Sequence, residues 1–262
     1  MRPAVSCAGG NRESEAMLAS IASDVGRVRE TNEDAYCLCQ LCTTDRPVFL
    51  AVADGMGGYV DGDIASELAV RQLRRDLEQY QGPGSGYLSR LKSSFAAANR
   101  AVFEAARGTM GTTLTCGLIL GQHLLWAHVG DSRAYLVRRG ELIQLTHDHS
   151  LVGIMVQNGE LAEEEARQHP HRHLLMRALG TQPEVAVDTG EHCLETGDVL
   201  ILCTDGLTNL VEGEELVHIV DGGKDLSLVA TGLVELANVR GGTDNITVLV
   251  VSVDPVVGEE RL

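Results

Sequence analysis

Aromatic residues are scarce in this chain, 3% of 262 positions with one Trp and three Phe, so aliphatic side chains must fill its core. No apolar run approaches the roughly eighteen residues of a membrane span. The stretch from Met1 to Ala16 is polar and charged and lacks the apolar centre of a secretory signal. Positive charge is also short: 21 Lys and Arg stand against 37 Asp and Glu, a formal charge of -16. Such a field repels nucleic acid and anionic lipid rather than recruiting them. The expectation is a cytoplasmic protein with no nucleic-acid or membrane partner, taken as a monomer, and the chain shows neither internal repeats nor a long linker.

Seven cysteines are an odd number, and most lie within apolar patterns. A secreted disulfide framework would need a smaller, loop-rich chain, so reduced thiols are expected. Cys39-Gln40-Leu41-Cys42 is a lone CxxC with no second pair at zinc-ribbon spacing, and Cys37 and Cys39 alternate as inward-facing strand residues do.

What is present is an ordinary globular composition, 44% hydrophobic and 22% charged, in a length that suits one domain. Residues 35–39 and 47–53 read as strands, the second closed by Asp54 and apolar without alternation, as when both faces are covered. From Asp63 to Tyr80 the apolar positions Ala65, Ala69, Leu73 and Leu77 recur at helical spacing with charges opposite. Gln81 to Gly86 breaks that helix, and Leu88, Leu91, Phe95, Ala98 and Val102 mark a second. Runs at 112–120, 124–129 and 134–137, separated by Gly121-Gln122 and Gly130-Asp131, read as a β meander. Residues 149–180 look inserted, with two short helical patterns and a His-rich stretch from His169 to His173. A buried strand at 198–203, helices at 212–220 and 225–238, and a last strand at 246–251 follow. The order lacks the βα alternation of a parallel sheet, so the expected class is α+β, two antiparallel sheets with helices outside.

Acidic motifs punctuate these runs: Thr31-Asn32-Glu33-Asp34, Asp54-Gly55-Met56-Gly57-Gly58, Gly130-Asp131-Ser132-Arg133, Thr204-Asp205-Gly206 and Asp244-Asn245-Ile246-Thr247. One Asp-Gly pair is only a common tight turn. The five acidic motifs in combination, most of them at strand ends, mean more, because strands laid side by side gather the carboxylates at one end, where they repel unless cations sit among them. The Asp54 carboxylate and the Gly55 backbone oxygen can share one cation while Asp205 and Asp244 complete the shell with water. Hard oxygen ligands favour Mg2+ or Mn2+ over zinc or copper. Two such ions about 3.5 to 4 Å apart can bridge and acidify a water for in-line attack on phosphorus. Asp34 would then orient that water, and Arg29 would clamp two phosphate oxygens.

Taken together, Arg29 to Asp34, Ala53 to Gly58, Gly130 to Arg133, Thr204 to Leu207 and Gly242 to Thr247 resemble the bacterial metal-dependent protein phosphatases of type 2C. The resemblance runs from about Ser20 to Val253, and Leu145 to Val152 with Arg177-Ala178-Leu179-Gly180 are similar to that family's flap segment. It implies a four-layer α-β-β-α sandwich, with a phosphatase domain at 18–254 carrying a mobile flap at about 147–180. A flexible segment, 1–17, and a tail, 255–262, would flank it. The resemblance further implies a binuclear Mn2+ or Mg2+ centre and hydrolysis of phosphoserine and phosphothreonine on proteins, by a metal-bridging hydroxide, in opposition to a bacterial Ser/Thr kinase. By motif, Asp54, Gly55, Asp205 and Asp244 match the metal ligands, and Asp131 the position that helps bind a weaker third metal. Asp34 matches the residue that contacts metal-bound water, and Arg29 the phosphate-binding arginine.

Two positions depart from that pattern. Tyr59 stands where many bacterial relatives have histidine, and a phenol of pKa near 10 is a poorer proton donor at neutral pH. Either turnover is slower here, or Tyr59 is a rim residue that shapes substrate fit while metal-bound water serves as the acid. His173 stands where relatives often have asparagine. Competing readings are a catalytically silent phosphoprotein-binding scaffold of the same fold and a phosphatase for small phosphorylated metabolites. His147-Asp148-His149 and the 169–173 stretch could also suggest a soft metal site, but HxH spacing without partner ligands is usually solvated or hydrogen-bonded loop histidine.

Overall fold

The apolar runs become strands of two antiparallel sheets. In the computed structural model, which describes residues 19–57, 62–106, 109–223 and 225–253, the strands are β1 (Ala19–Asp24), β2 (Asp34–Gln40), β3 (Val48–Gly57), β4 (Met110–Thr112), β5 (Leu114–Leu120), β6 (His123–Val129), β7 (Arg133–Arg138), β8 (Glu141–Gln144), β9 (Asp188–Cys193), β10 (Val199–Cys203) and β11 (Ile246–Ser252). One sheet has the order β1-β11-β10-β7-β8, and the other β2-β3-β5-β6-β9 with β4 paired to the end of β3. The terminal segments expected at 1–17 and 255–262, and Tyr59, lie outside the described residues.

Alternation along each strand builds three apolar layers. On β3, Leu50 and Val52 face the other sheet and meet Leu136, Leu200, Leu202 and Leu249 in a buried inter-sheet core. Phe49, Ala51 and Ala53 point the opposite way, against α1 (Gly62–Glu78) and α2 (Tyr87–Ala106). The stripe of Ala65, Ala69, Leu73 and Leu77 on α1 is fully buried there, as its helical spacing requires. Across the molecule, Ile201, Val248 and Val250 pack against α6 (Gly213–Gly222) and α7 (Leu226–Val239). The four layers are therefore α-β-β-α, as expected. None of the helices among the described residues is long and apolar enough to cross a membrane.

The meander expected over 112–137 breaks. β5 and β6 do form a hairpin, but β7 leaves for the other sheet, where it pairs with β10 and β8. The chain crosses at Gly130-Asp131-Ser132. Gly130 holds φ +119, and a Cβ there would lie 2.5 Å from the Thr113 Cβ, so the crossing needs glycine. β3 also runs past Asp54 to Gly57, because β4 pairs with its last residues.

β1, β8 and β9 have no counterpart in the sequence reading, and each is an edge strand. Not one of their residues is fully buried, so none shows a continuous apolar run. The inserted segment contains α3 (Leu151–Gln157) and α4 (Glu163–Gln168), which match the two short helical patterns. Ser150 caps α3 by accepting a hydrogen bond from the Gly153 N–H at 3.0 Å. A bridge from Ser150 to Leu175 closes this segment on itself, and one from Thr112 to Leu179 fastens it to the body.

Candidate metal centre

Both sheets deliver carboxylates to the same end of the sandwich. Asp34 opens β2 directly opposite Asp54 on β3. Asp205 begins the short helix α5 (Asp205–Thr208) after β10, Asp244 lies just before β11, and Asp131 sits at the crossing between sheets. Cross-sheet hydrogen bonds fix the arrangement: Asp34 Oδ2 accepts from Thr204 Oγ1 at 2.9 Å and from Thr247 Oγ1 at 2.6 Å. The Asp54 N–H donates to Thr113 Oγ1 at 2.8 Å, and that hydroxyl meets Ser132 Oγ at 2.7 Å, tying β3 to the Asp131 corner. Asn245, buried, holds the loop that bears Arg29: its Nδ2 donates to the Val25 and Thr31 carbonyls and its Oδ1 accepts from the Glu33 N–H.

Burial first, and crowding with it, raises the acids. Burial pushes the Asp34 carboxyl up to about 7, against the pull of the two threonine hydroxyls and with the help of Asp205 and Asp244. Burial also lifts Asp54 well above its ordinary range, and its four acidic neighbours Asp34, Asp205, Asp131 and Asp244 add to the rise. Asp131 is raised by burial and then by Asp205 and Asp148. Asp205 is raised by burial and by Asp244, with His173 opposing. Mutual repulsion among acids drawn from all five motifs shows that the fold brings them together.

The donor set fits a hard divalent cation. Asp34 Oδ1 and Asp205 Oδ1 are buried oxygens without a hydrogen-bond partner, an arrangement that is costly unless a cation or water completes it. Position 55 admits no side chain, since a Cβ would collide with the Gly62 and Glu33 carbonyls. Among the described residues no three His, Cys, Asp or Glu side chains stand close enough together to hold a metal ion by themselves, so a cation here would need backbone oxygen or water to complete its shell. Arg29 lies at the same place, with Nη2 donating to Asp244 Oδ2 at 2.9 Å. Burial works against its charge, but Asp244, Asp54 and Glu33 together raise its pKa.

Beside the acids, a cavity of about 380 Å³ opens between them and the inserted segment, lined by Asp131, Asp205, Asp148, Val152 and Arg172 among others. The suspected soft-metal histidines do other work. His149 is buried, accepts at Nδ1 from the Gly130 N–H at 3.1 Å and meets Asp188 Oδ2 through Nε2 at 3.1 Å. Its backbone carbonyl accepts from the Met176 and Arg177 N–H groups. Burial lowers its pKa, and burial takes that of the neighbouring His128, whose ring lies 4.6 Å away, down to about 3. The rings of half-buried His169 and exposed His171 lie 5.6 Å apart. The CxxC is likewise unremarkable: the sulfur contact runs from Cys37 to Cys39, 3.8 Å apart, and both residues are free thiols.

The structure thus gathers Arg29, Asp34, Asp54, Gly55, Asp131, Asp205 and Asp244 in one region. The sequence reading did not single out Thr204, Thr247, Thr113 and Asn245, which hold them in place. Three of these four stand inside or beside the acidic motifs, and a hydroxyl or amide next to a clustered acid was the signal available.

Comparison with known proteins places this geometry in context. The Protein phosphatase 2C family model matches residues 19–152. The serine/threonine phosphatase stp of Listeria monocytogenes is 38% identical over 245 residues, 91% of this chain and 96% of that protein. The solved serine/threonine phosphatase of S. agalactiae aligns with a TM-score of 0.86 at 37% identity, over 91% of this chain and 100% of that one. The catalytic domain of the serine/threonine protein phosphatase PstP, solved in complex with 2 manganese ions, aligns with a TM-score of 0.80 at 35% identity, over 91% of this chain and 99% of that one.

Proposed function

This chain belongs to the protein phosphatase 2C family, and from that premise we propose how its residues carry out dephosphorylation. It is a serine/threonine phosphatase of a metal-dependent family. Asp54, Gly55, Asp205 and Asp244 would hold two divalent ions, Mn2+ or Mg2+, and Asp131 would help hold a weaker third. When bound, such ions supply positive charge that offsets the carboxylates, screens the phosphoryl oxygens and lowers the pKa of water. Arg29 presents a planar fork of donors to two phosphoryl oxygens, which orients phosphorus for in-line displacement. Asp34, held by Thr204 and Thr247 with one oxygen unpartnered, accepts a hydrogen bond from the attacking water and aligns it.

The substrates are phosphoserine and phosphothreonine on proteins, and the natural counterpart is a Ser/Thr kinase. We place the phosphatase domain at 18–254, working as a cytoplasmic monomer, with the flap at 147–180 forming one wall of the approach to the acids. The observation that carries the reading is the convergence of five buried or half-buried aspartates, from both sheets and the crossing between them, around Asp54. Release of phosphate from a phosphothreonine peptide should require Mn2+ or Mg2+. Asp54→Asn and Asp205→Asn should each reduce it on the order of a hundredfold or more while leaving the fold intact. Tight phosphopeptide binding without release would mark a silent scaffold instead, and preference for small phosphorylated metabolites would redirect the substrate class.

A further inference from the structure

Arg29, which is proposed to clamp phosphate, already has a partner. Its Nη2 donates to Asp244 Oδ2 at 2.9 Å, in a pair whose side chains are 52% and 26% exposed. Asp244 Oδ1 accepts from the Asn245 backbone N–H at 2.9 Å, so each oxygen of this proposed ligand has a donor. Asp54 and Glu33 add to the attraction on the guanidinium. Two of the three acids that attract Arg29, Asp54 and Asp244, are thus acids assigned to the metal. A cation taken up by Asp244 must stand close to a fixed positive charge, and like charges a few Å apart repel.

We infer that Arg29 and a divalent cation compete for Asp244, so that the arginine lowers metal affinity until phosphate draws it away. The inference rests on Asp244 being a metal ligand. A phosphoryl group that occupies the guanidinium fork leaves Asp244 to the cation, and by thermodynamic reciprocity each then tightens binding of the other beyond their direct contact. The opposite role is a brace, in which Arg29 holds Asp244 aimed at the ion. The two roles predict opposite signs when Arg29 is removed.

Calorimetric titration of the full chain with Mn2+ alone separates them, using the native protein, Arg29→Ala, Arg29→Lys and Asp244→Asn. Arg29→Ala should bind Mn2+ about two- to fivefold more tightly at low salt, the equivalent of an exposed ion pair. The gain should shrink at high salt as the charges are screened, and Arg29→Lys should fall between. Unchanged or weaker binding in Arg29→Ala, beside a clear loss in Asp244→Asn, overturns the competition and leaves the metal assignment standing. No loss in Asp244→Asn overturns the assignment and the inference with it.

Discussion

Asp34 draws its two hydroxyl donors from the opposite sheet, 170 and 213 positions away in the chain. Thr247→Val removes the shorter of the two hydrogen bonds and leaves a buried carboxylate oxygen underserved, so stability should fall by about 1–3 kcal/mol in urea unfolding. The threonine bonds also hold the Asp34 pKa down against burial. Without one of them the acid limb of the pH–rate profile should move to higher pH, since Asp34 must be ionised to accept from water. At this scale the acids were legible because each sits in a short motif that repeats one chemical idea. Which hydroxyls serve them was not, because that depends on how two sheets dock.

His149 buckles the flap to the body: it exchanges two hydrogen bonds with Gly130, its own N–H donating to the Gly130 carbonyl at 2.7 Å, and it reaches Asp188 on β9. Asp188 is in turn fixed by Arg177 at 2.8 Å. His149→Ala should leave the buried Gly130 N–H unpaired, cost about 1–3 kcal/mol, and raise hydrogen exchange across α3 and the returning segment at 174–180 before the sheets respond. Equal exchange in variant and native protein would show that the flap is anchored elsewhere. Interior strands such as β3, β10 and β11 were plain in the sequence because both faces are covered. The edges β1, β8 and β9 were not, since half-exposed strands mix polar and apolar residues freely. The crossing at Gly130 escaped notice for another reason: a turn dipeptide reads the same whether the next strand pairs beside it or leaves for another sheet.

Across the whole molecule, the acid cluster makes stability depend on pH and on metal together. Asp34, with an ordinary value of 3.8, is raised to about 7 in the folded state, and Asp54, Asp131 and Asp205 are raised as well. A group with a raised folded pKa favours the fold while protonated, so its contribution is full below about 3.8 and lost as pH climbs through about 7. Metal-stripped protein should therefore show a Tm that falls by on the order of 5–10 °C between pH 5 and 8. Saturating Mn2+ should recover a similar amount at pH 8. A stripped protein whose Tm is flat over that range would contradict the burial and crowding of these acids. The layer class was readable at this scale from the order of strands and helices alone.

The passage of the chain from one sheet to the other at Gly130-Asp131 has a larger result. Asp34 and Asp54 belong to one leaf of the sandwich, Asp205 and Asp244 to the other, and Asp131 to the hinge pin between them. Chemistry is then a property of the seam, owned by neither leaf. A slip of one leaf by a single residue would preserve every ladder and every helix and still erase the enzyme.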